Sequence, residues 1–382
     1  MRNVGTYIKS WFGRFDAVSY RRPDPWLWLP AAVLLLLGLL MVLNTTYFLG
    51  IEKRGDAFHF FKLHLAHIAV GFVFLMLLSQ FSLAGLRRIA MPLFIASIVM
   101  LALLYVPGFG LMKGGARRWL RLGPVIAEPS ELVKFALVFF LAKFLSKRQE
   151  RIREFKHGPL AVFLIVGPIT LLILKQPDFG STVMIALILF AMLWAAGARW
   201  QHLAATGGGA LGLLAFQAVA KSYRMKRLTT FLDPWSVARG AGFQLVQSFI
   251  ALGEGGKWGV GLGAGRQKMF YLPEAHTDFV FAVVGEEFGL IGAAVVVSLF
   301  LVILFRGMRI AHDEPDPFAS LLAVGLTALL SIQALINMSV VIGLIPTKGL
   351  PLPFLSYGGT SIIIAMAALG ALLALGRRPA VR

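Results

Sequence analysis

Apolar residues run along this chain in long blocks separated by short polar connections. Ten blocks stand out, at 26–49, 62–80, 89–106, 129–146, 159–175, 179–197, 203–220, 278–305, 318–343 and 354–376. A helix needs roughly 20 apolar residues to cross a bilayer, and the blocks cluster around that length. The pattern predicts an all-α polytopic membrane domain over 26–376 with about ten transmembrane helices. The seventh block carries Gly207, Gly208 and Gly209. The fifth is short and interrupted by Pro159 and Pro168, and only Gln176, Pro177 and Asp178 part it from the sixth, which predicts a tight hairpin. The first block is too long for a signal peptide and lacks a small-residue cleavage site. Ahead of it, residues 1–25 mix Trp11, Phe12 and Phe15 with Lys9, Arg14, Arg21 and Arg22, the pattern of an interfacial amphipathic helix.

Composition sharpens the picture. Hydrophobic residues make up 58% of the 382 and charged residues 14%, with a mean hydropathy of +0.78. A soluble domain carries roughly 25% charged residues, and a soluble fold this size cannot hide so much apolar surface. A water-soluble enzyme, a disordered chain and a fibrous protein are excluded. The absence of cysteine excludes disulfides, zinc thiolates and cysteine nucleophiles. The net charge of +19 sits between apolar spans, so it points to anionic lipid or an anionic lipid-linked substrate rather than nucleic acid.

An even number of spans puts both termini on one side. Connections there hold 18 Lys and Arg, against 16 on the other side, but 12 of the 16 fall in two segments, 107–128 and 221–277. The positive-inside rule counts short loops near span ends, so the termini, including the short basic tail 377–382, are assigned to the cytoplasm. The two basic segments then lie outside. Long loops translocate regardless of charge, which covers 221–277 more easily than 107–128 with its Lys113, Arg117, Arg118 and Arg121. Cations kept on that side suggest an anionic ligand.

The segment 221–277, the only long loop, is basic, then aromatic, then glycine-rich. Gly259 to Ala264 formally fits G-x-G-x-x-A, but no strand precedes it and no βαβ unit surrounds it, so it is no nucleotide site. Flexible or re-entrant backbone lining a cavity fits better. Pro273 stops any earlier helix, Thr277 is placed to cap the eighth span, and Asp278 then falls in its first turn. A carboxylate there either complements the helix dipole or serves as a general base at a cavity mouth. Glu286 and Glu287 lie roughly 12–13 Å deeper at 1.5 Å per residue. Such buried acids need partners or a function, and Lys134 and Lys143 of the fourth span are candidates. Glu131 and Lys134 share a helical face and read first as a structural ion pair, with substrate contact as the alternative.

His64 and His67 share a face, but two ligands make no metal site, so they read as packing or interface residues. Ser356 and Ser361 lack a base beside them and read as loop or helix-start hydroxyls. In 344–361, Pro346, Pro351 and Pro353 deny the chain a helix. Lys348 is the lone charge there, suited as a point charge to a phosphate or pyrophosphate.

These residues resemble the SEDS family of peptidoglycan polymerases (shape, elongation, division and sporulation proteins). The matches run over nearly the whole chain: Lys113 to Trp119, Pro129-Ser130-Glu131, Gln176 to Gly180, Pro273 to Phe279, Glu286-Glu287 and Pro353 to Gly359. Gln267 to His276 and Pro346 to Gly349 resemble the FtsW-type division branch more than the RodA-type elongation branch. Gly285 departs from the usual Ala. The resemblance implies ten membrane helices and glycosyl transfer on lipid II outside the cytoplasmic (inner) membrane, at the division septum. It implies Asp278 as the catalytic residue. The donor leaves with undecaprenyl pyrophosphate, so charge stabilisation replaces a strong acid. The acceptor's GlcNAc 4-hydroxyl needs a base. A single displacement inverts the anomeric centre, giving a β-1,4 strand. Lys113, Arg117, Arg118 and Lys348 are then candidates for the pyrophosphates, and Glu274 and His276 for orienting substrate or helping to bind a metal. A divalent cation, Mg or Mn, could share the pyrophosphates, although the sequence shows no clear ligand set. The implied partners are a class B penicillin-binding transpeptidase, other division proteins and membrane lipid. Two other classes stay open: a lipid II flippase, which needs a polar route across the full thickness, and a non-catalytic division scaffold, which has no need of Asp278.

Overall fold

The computed structural model describes residues 23–113, 116–123, 125–219 and 230–377. Most of the expected amphipathic N-terminal segment, the basic run at 221–227 and nearly all of the C-terminal tail lie outside the described residues. Each apolar block coincides with a helix: α1 Pro25–Arg54, α2 His59–Ser79, α3 Leu83–Leu103, α4 Pro129–Ser146, α5 Pro159–Lys175, α6 Phe179–Ala195, α7 Trp200–Val219, α9 Val280–Asp313, α10 Pro317–Val341 and α11 Gly359–Gly376. Among the described residues, six of these (α1, α2, α3, α9, α10 and α11) are long and apolar enough to cross a membrane by composition alone. The chain is a mostly helical, multi-pass membrane protein.

Helix starts follow local chemistry. Asp24 accepts from the Trp26 N–H at 3.0 Å with Pro25 in the first turn. Ser82, Asp178 and Asp316 cap α3, α6 and α10 in the same way. Each cap satisfies an N–H that has no partner within the helix. The Gln176–Asp178 hairpin forms as expected. Pro168 is inside α5.

Helix α4 is the enclosed centre, with every residue from Val133 to Ala142 buried, and α10 and α11 pack beside it. Helices α2 and α3 leave apolar residues such as Phe72, Val73, Ile95 and Val99 outward, as lipid-facing helices do. At the end of the bundle that carries Asp24, Arg306 ties α9 to α1 and Arg87 ties α3 to Asp316 before α10, the latter at 2.8 Å.

Two connections differ from the sequence reading. The segment 107–128 carries a three-stranded antiparallel sheet, β1 Gly110–Lys113, β2 Ala116–Leu122 and β3 Val125–Ala127, in the order β1-β2-β3. The all-α assignment is corrected to that extent. The long loop 221–277 contains α8, Phe243–Gly255, which packs against α9. At 13 residues α8 is too short to span.

Helix α9 is broken at Gly289, whose φ of 66° departs from the helix. The glycine-rich segment after α8 repairs the break. The N–H groups of Val260 and Gly261 donate to the carbonyls of Glu286 and Glu287, at 3.0 Å each. The Leu290 N–H donates to Gly256 O at 2.9 Å. A Cβ on Gly289 would come within 2.4 Å of the Gly259 nitrogen, so the close backbone approach requires glycine. Irregular backbone survives inside a membrane domain only when its polar groups are paired in this way.

Candidate functional site

Asp278 lies in a turn just before α9, not in the helix. The N–H groups of Thr277 and Phe279 both donate to Glu274 O, at 3.1 and 3.2 Å. The N-cap position is Phe279, which makes no side-chain cap bond. Thr277 therefore does not cap the helix as expected. Its hydroxyl donates to Glu274 Oε2 at 2.9 Å instead. The left-handed Glu274, φ 55°, bends the chain so that its own carbonyl faces forward into the turn.

Three successive carbonyls of this turn are held from elsewhere. Tyr357 N–H donates to His276 O at 2.8 Å. Ser356 Oγ donates to Thr277 O. Asn337 Nδ2 donates to Asp278 O at 2.8 Å and to Leu350 O at 2.7 Å. Carbonyls only accept, so the amide nitrogen of Asn337 must face them. Ser356, read from sequence as a plain loop hydroxyl, also accepts from Leu352 N–H at 2.7 Å.

The loop between α10 and α11 lies against this turn. A Cβ on Gly349 would sit 3.0 Å from Asp278 Oδ2, so a larger residue there would crowd the carboxylate. Lys348 is next to it, half-buried, with Nζ 5.4 Å from the Phe179 ring centroid at the start of α6. Burial pushes the Lys348 ammonium below the ordinary lysine value. Just before Phe179, Arg118 of β2 donates to the Pro177 carbonyl and reaches Gln176 O at 3.5 Å. Strand alternation puts Arg118 on the same face as the fully buried Leu120 and turns Arg117 and Arg121 outward, both exposed. The sheet thus delivers Arg118 to the hairpin but not Arg117. Lys113 closes β1, and its side chain lies outside what is described. The Asp278 turn thus meets the loop of Lys348 and Gly349, and Lys348 and Arg118 both reach the 176–179 hairpin.

His276 is half-buried, its ring 5.8 Å from that of Tyr357, which also meets His64 at 5.6 Å. His64 is fully buried in packing, as read from sequence. Glu274 is exposed. Burial pushes the Tyr357 hydroxyl pKa up.

The expected pair is present: Lys134 Nζ donates to Glu131 Oε1 at 2.7 Å, both buried. Lys134 also donates to Gln333 Oε1 at 3.1 Å, and Gln333 Nε2 donates to Pro351 O at 2.9 Å, which fastens the Lys348 loop to the core. The expected pairing of Glu286 and Glu287 with Lys134 or Lys143 is not found. Glu287 pairs with Lys268 at 2.6 Å and accepts from Asn44 at 2.6 Å. Glu286 accepts from the backbone N–H groups of Arg266 and Gln267, at 2.6 and 3.2 Å. Both acids thus hold the segment that runs into Asp278. That segment is folded back beside α9, a non-local closure that helical spacing does not reveal.

Glu128, just before α4, went unnoticed in the sequence. It lies among Glu131, Asp178, Lys134 and Arg118, and desolvation followed by the two acids pushes its carboxyl up to about 8. Among the described residues no group of three or more His, Asp or Glu side chains is arranged to hold a metal. The described residues therefore do not form a ligand set for the divalent cation considered above.

A family model described as the FtsW, RodA and SpoVE cell cycle protein matches residues 25–379. The chain belongs to this family. Relatives within it are similar over most of both lengths. A probable peptidoglycan glycosyltransferase FtsW of Geobacter sp. (strain M18) is 41% identical over 348 residues, 91% of this chain and 95% of the relative. Stage V sporulation protein E of Bacillus subtilis (strain 168) is 40% identical over 357 residues, covering 93% and 97%. Among solved structures, a chain from "Structural coordination of polymerization and crosslinking by a peptidoglycan synthase complex" superposes with TM-score 0.74 at 32% identity, covering 92% and 96%. The FtsW, RodA and SpoVE membership agrees with the resemblance read from the motifs.

Proposed function

We propose that this chain polymerises lipid II into β-1,4 glycan strands at the division septum, with Asp278 as the general base. The class, peptidoglycan glycosyltransferase of the FtsW type, rests on the family and on relatives about two-fifths identical over nine-tenths of the chain. The observation that carries the mechanism is the close approach of Asp278 Oδ2 to Gly349, on the loop that also bears Lys348. Asp278 takes the proton of the acceptor's 4-hydroxyl as its oxygen forms a bond to the donor's anomeric carbon. The bond from that carbon to undecaprenyl pyrophosphate breaks, and the electron pair leaves on the phosphate. Lys348 offsets that charge, and Arg118, fixed on the hairpin, adds a second cation. Arg117 is left at the rim, where it can steer an anionic substrate. Glu274 and His276, on the same turn as Asp278, line the approach to it. Glu131 and Lys134 act as a structural pair that holds the loop through Gln333.

By the charge distribution, the end of the bundle that carries this site faces away from the cytoplasm. A class B penicillin-binding transpeptidase is the proposed partner, in keeping with a related chain solved in a study of a synthase complex that coordinates polymerization and crosslinking. The test is polymerisation of labelled lipid II by the purified full chain with that partner, with moenomycin present to silence class A glycosyltransferases. Glycan strands are the expected product. Intact lipid II in a complex competent for crosslinking would move the reading to transport or scaffolding.

A further inference from the structure

Asp278 is a short side chain on a turn, and a turn outside regular structure holds a fixed position only if its backbone is held. Its own hydrogen bonds to Glu274 O close the turn but do not anchor it to the bundle. The anchoring comes from three donors on two other elements. Asn337 is in the last turns of α10, 1% exposed. Ser356 is in the loop after it, 3% exposed. The third is the backbone N–H of Tyr357. They take the carbonyls of residues 278, 277 and 276 in turn. Asn337 and Ser356 each make a second bond, to Leu350 O and from Leu352 N–H, so the same two side chains also set the loop that bears Lys348 and Gly349. A single register therefore fixes base and cation relative to each other.

We infer that Asn337 and Ser356 are positioning residues for the reaction, clamping the turn of Asp278 and the Lys348 loop into one unit. This rests on the reading of Asp278 as the base. Neither side chain touches substrate in this scheme. Both act through the carbonyls they hold, and reacting groups must be kept within a fraction of an ångström for full rate. Substrate binding draws on Arg118 and Lys348 together and is less sensitive to a small displacement than proton transfer.

The test compares wild type with Ser356→Ala, Asn337→Asp and Asp278→Asn in the full chain with its transpeptidase partner, using labelled lipid II. Asn337→Asp is nearly isosteric, but a carboxylate cannot donate to two carbonyls. Both clamp variants are expected to lower kcat about tenfold, as a misplaced base implies once the two hydrogen bonds of each side chain are lost. KM should stay within about twofold in variants that remain folded at the assay temperature, although the lost buried bonds lower the melting temperature. Wild-type kcat in both clamp variants, with Asp278→Asn inactive, would overturn the clamp and leave the base standing. A fall in kcat matched by an equal rise in KM would also overturn it. An active Asp278→Asn would remove the base and this inference with it. If either variant fails to fold, hydrogen exchange in the wild type decides. The clamp requires slow exchange of the Tyr357 and Leu352 amides, which donate to His276 O and Ser356 Oγ, and rapid exchange there contradicts it.

Discussion

Asp278 is placed by residues 59 and 79 positions away from it or its neighbour, Asn337 and Ser356, and crowded by Gly349. Its candidacy was legible in the sequence because a carboxylate follows Pro273 at a predicted span boundary. Its supports were not, since a buried Asn and a loop Ser look ordinary until the chain closes. Glu128 is a second such case, unremarkable in sequence and desolvated in the fold. Its carboxyl moves from 4.5 to about 8, so the native state keeps a proton that the unfolded chain releases between those values. Stability should therefore fall as pH rises from about 4.5 to about 8 and level off above. Glu128→Gln, neutral throughout, removes that loss. Its melting temperature relative to wild type should rise between pH 5 and pH 9, and a pH-independent difference would contradict the assignment.

Among the elements, helices announce themselves through block length, because lipid demands about 20 apolar residues whatever the neighbours are. The sheet at 110–127 does not, because its strands are short and its outward positions carry arginines. The Gly114-Gly115 pair between β1 and β2 is the hairpin signal that could have found it. Only the strand register separates Arg118 from Arg117. The break in α9 was equally hidden: Gly289 looks tolerable in a helix until the glycine segment is seen against it. That segment is fastened by the buried Lys268–Glu287 pair, with side chains 2% and 0% exposed. Lys268→Met leaves Glu287 buried without its cation and should cost about 3–5 kcal/mol in detergent unfolding. Adding Glu287→Gln should recover most of it. A cost below about 1 kcal/mol for Lys268→Met would show the pair to be idle.

At the scale of the whole molecule, the basic sheet, the hairpin, the Asp278 turn and the Lys348 loop gather at one end of the bundle, and the Arg306–Asp24 and Arg87–Asp316 pairs mark the other. The charge rule assigns the first end to the outside. Because the chain has no cysteine, single introduced thiols report topology without background. Arg121→Cys on β2 should react with a membrane-impermeant maleimide in intact cells, and Arg153→Cys in the α4–α5 connection should react only after lysis. The reverse pattern would put the site in the cytoplasm, away from any outward-facing substrate.

The central claim is that Asp278 takes a proton in the bond-forming step. Asp278→Asn preserves size and the backbone carbonyl that Asn337 holds, yet removes the base. The decisive measurement is the single-turnover rate of glycan bond formation from labelled lipid II, wild type against Asp278→Asn, with substrate saturating. A general base contributes about 10²–10⁴-fold, so the account predicts a loss of that size with binding retained. A rate within about threefold of wild type, on a scale where each tenfold is about 1.36 kcal/mol, would contradict it.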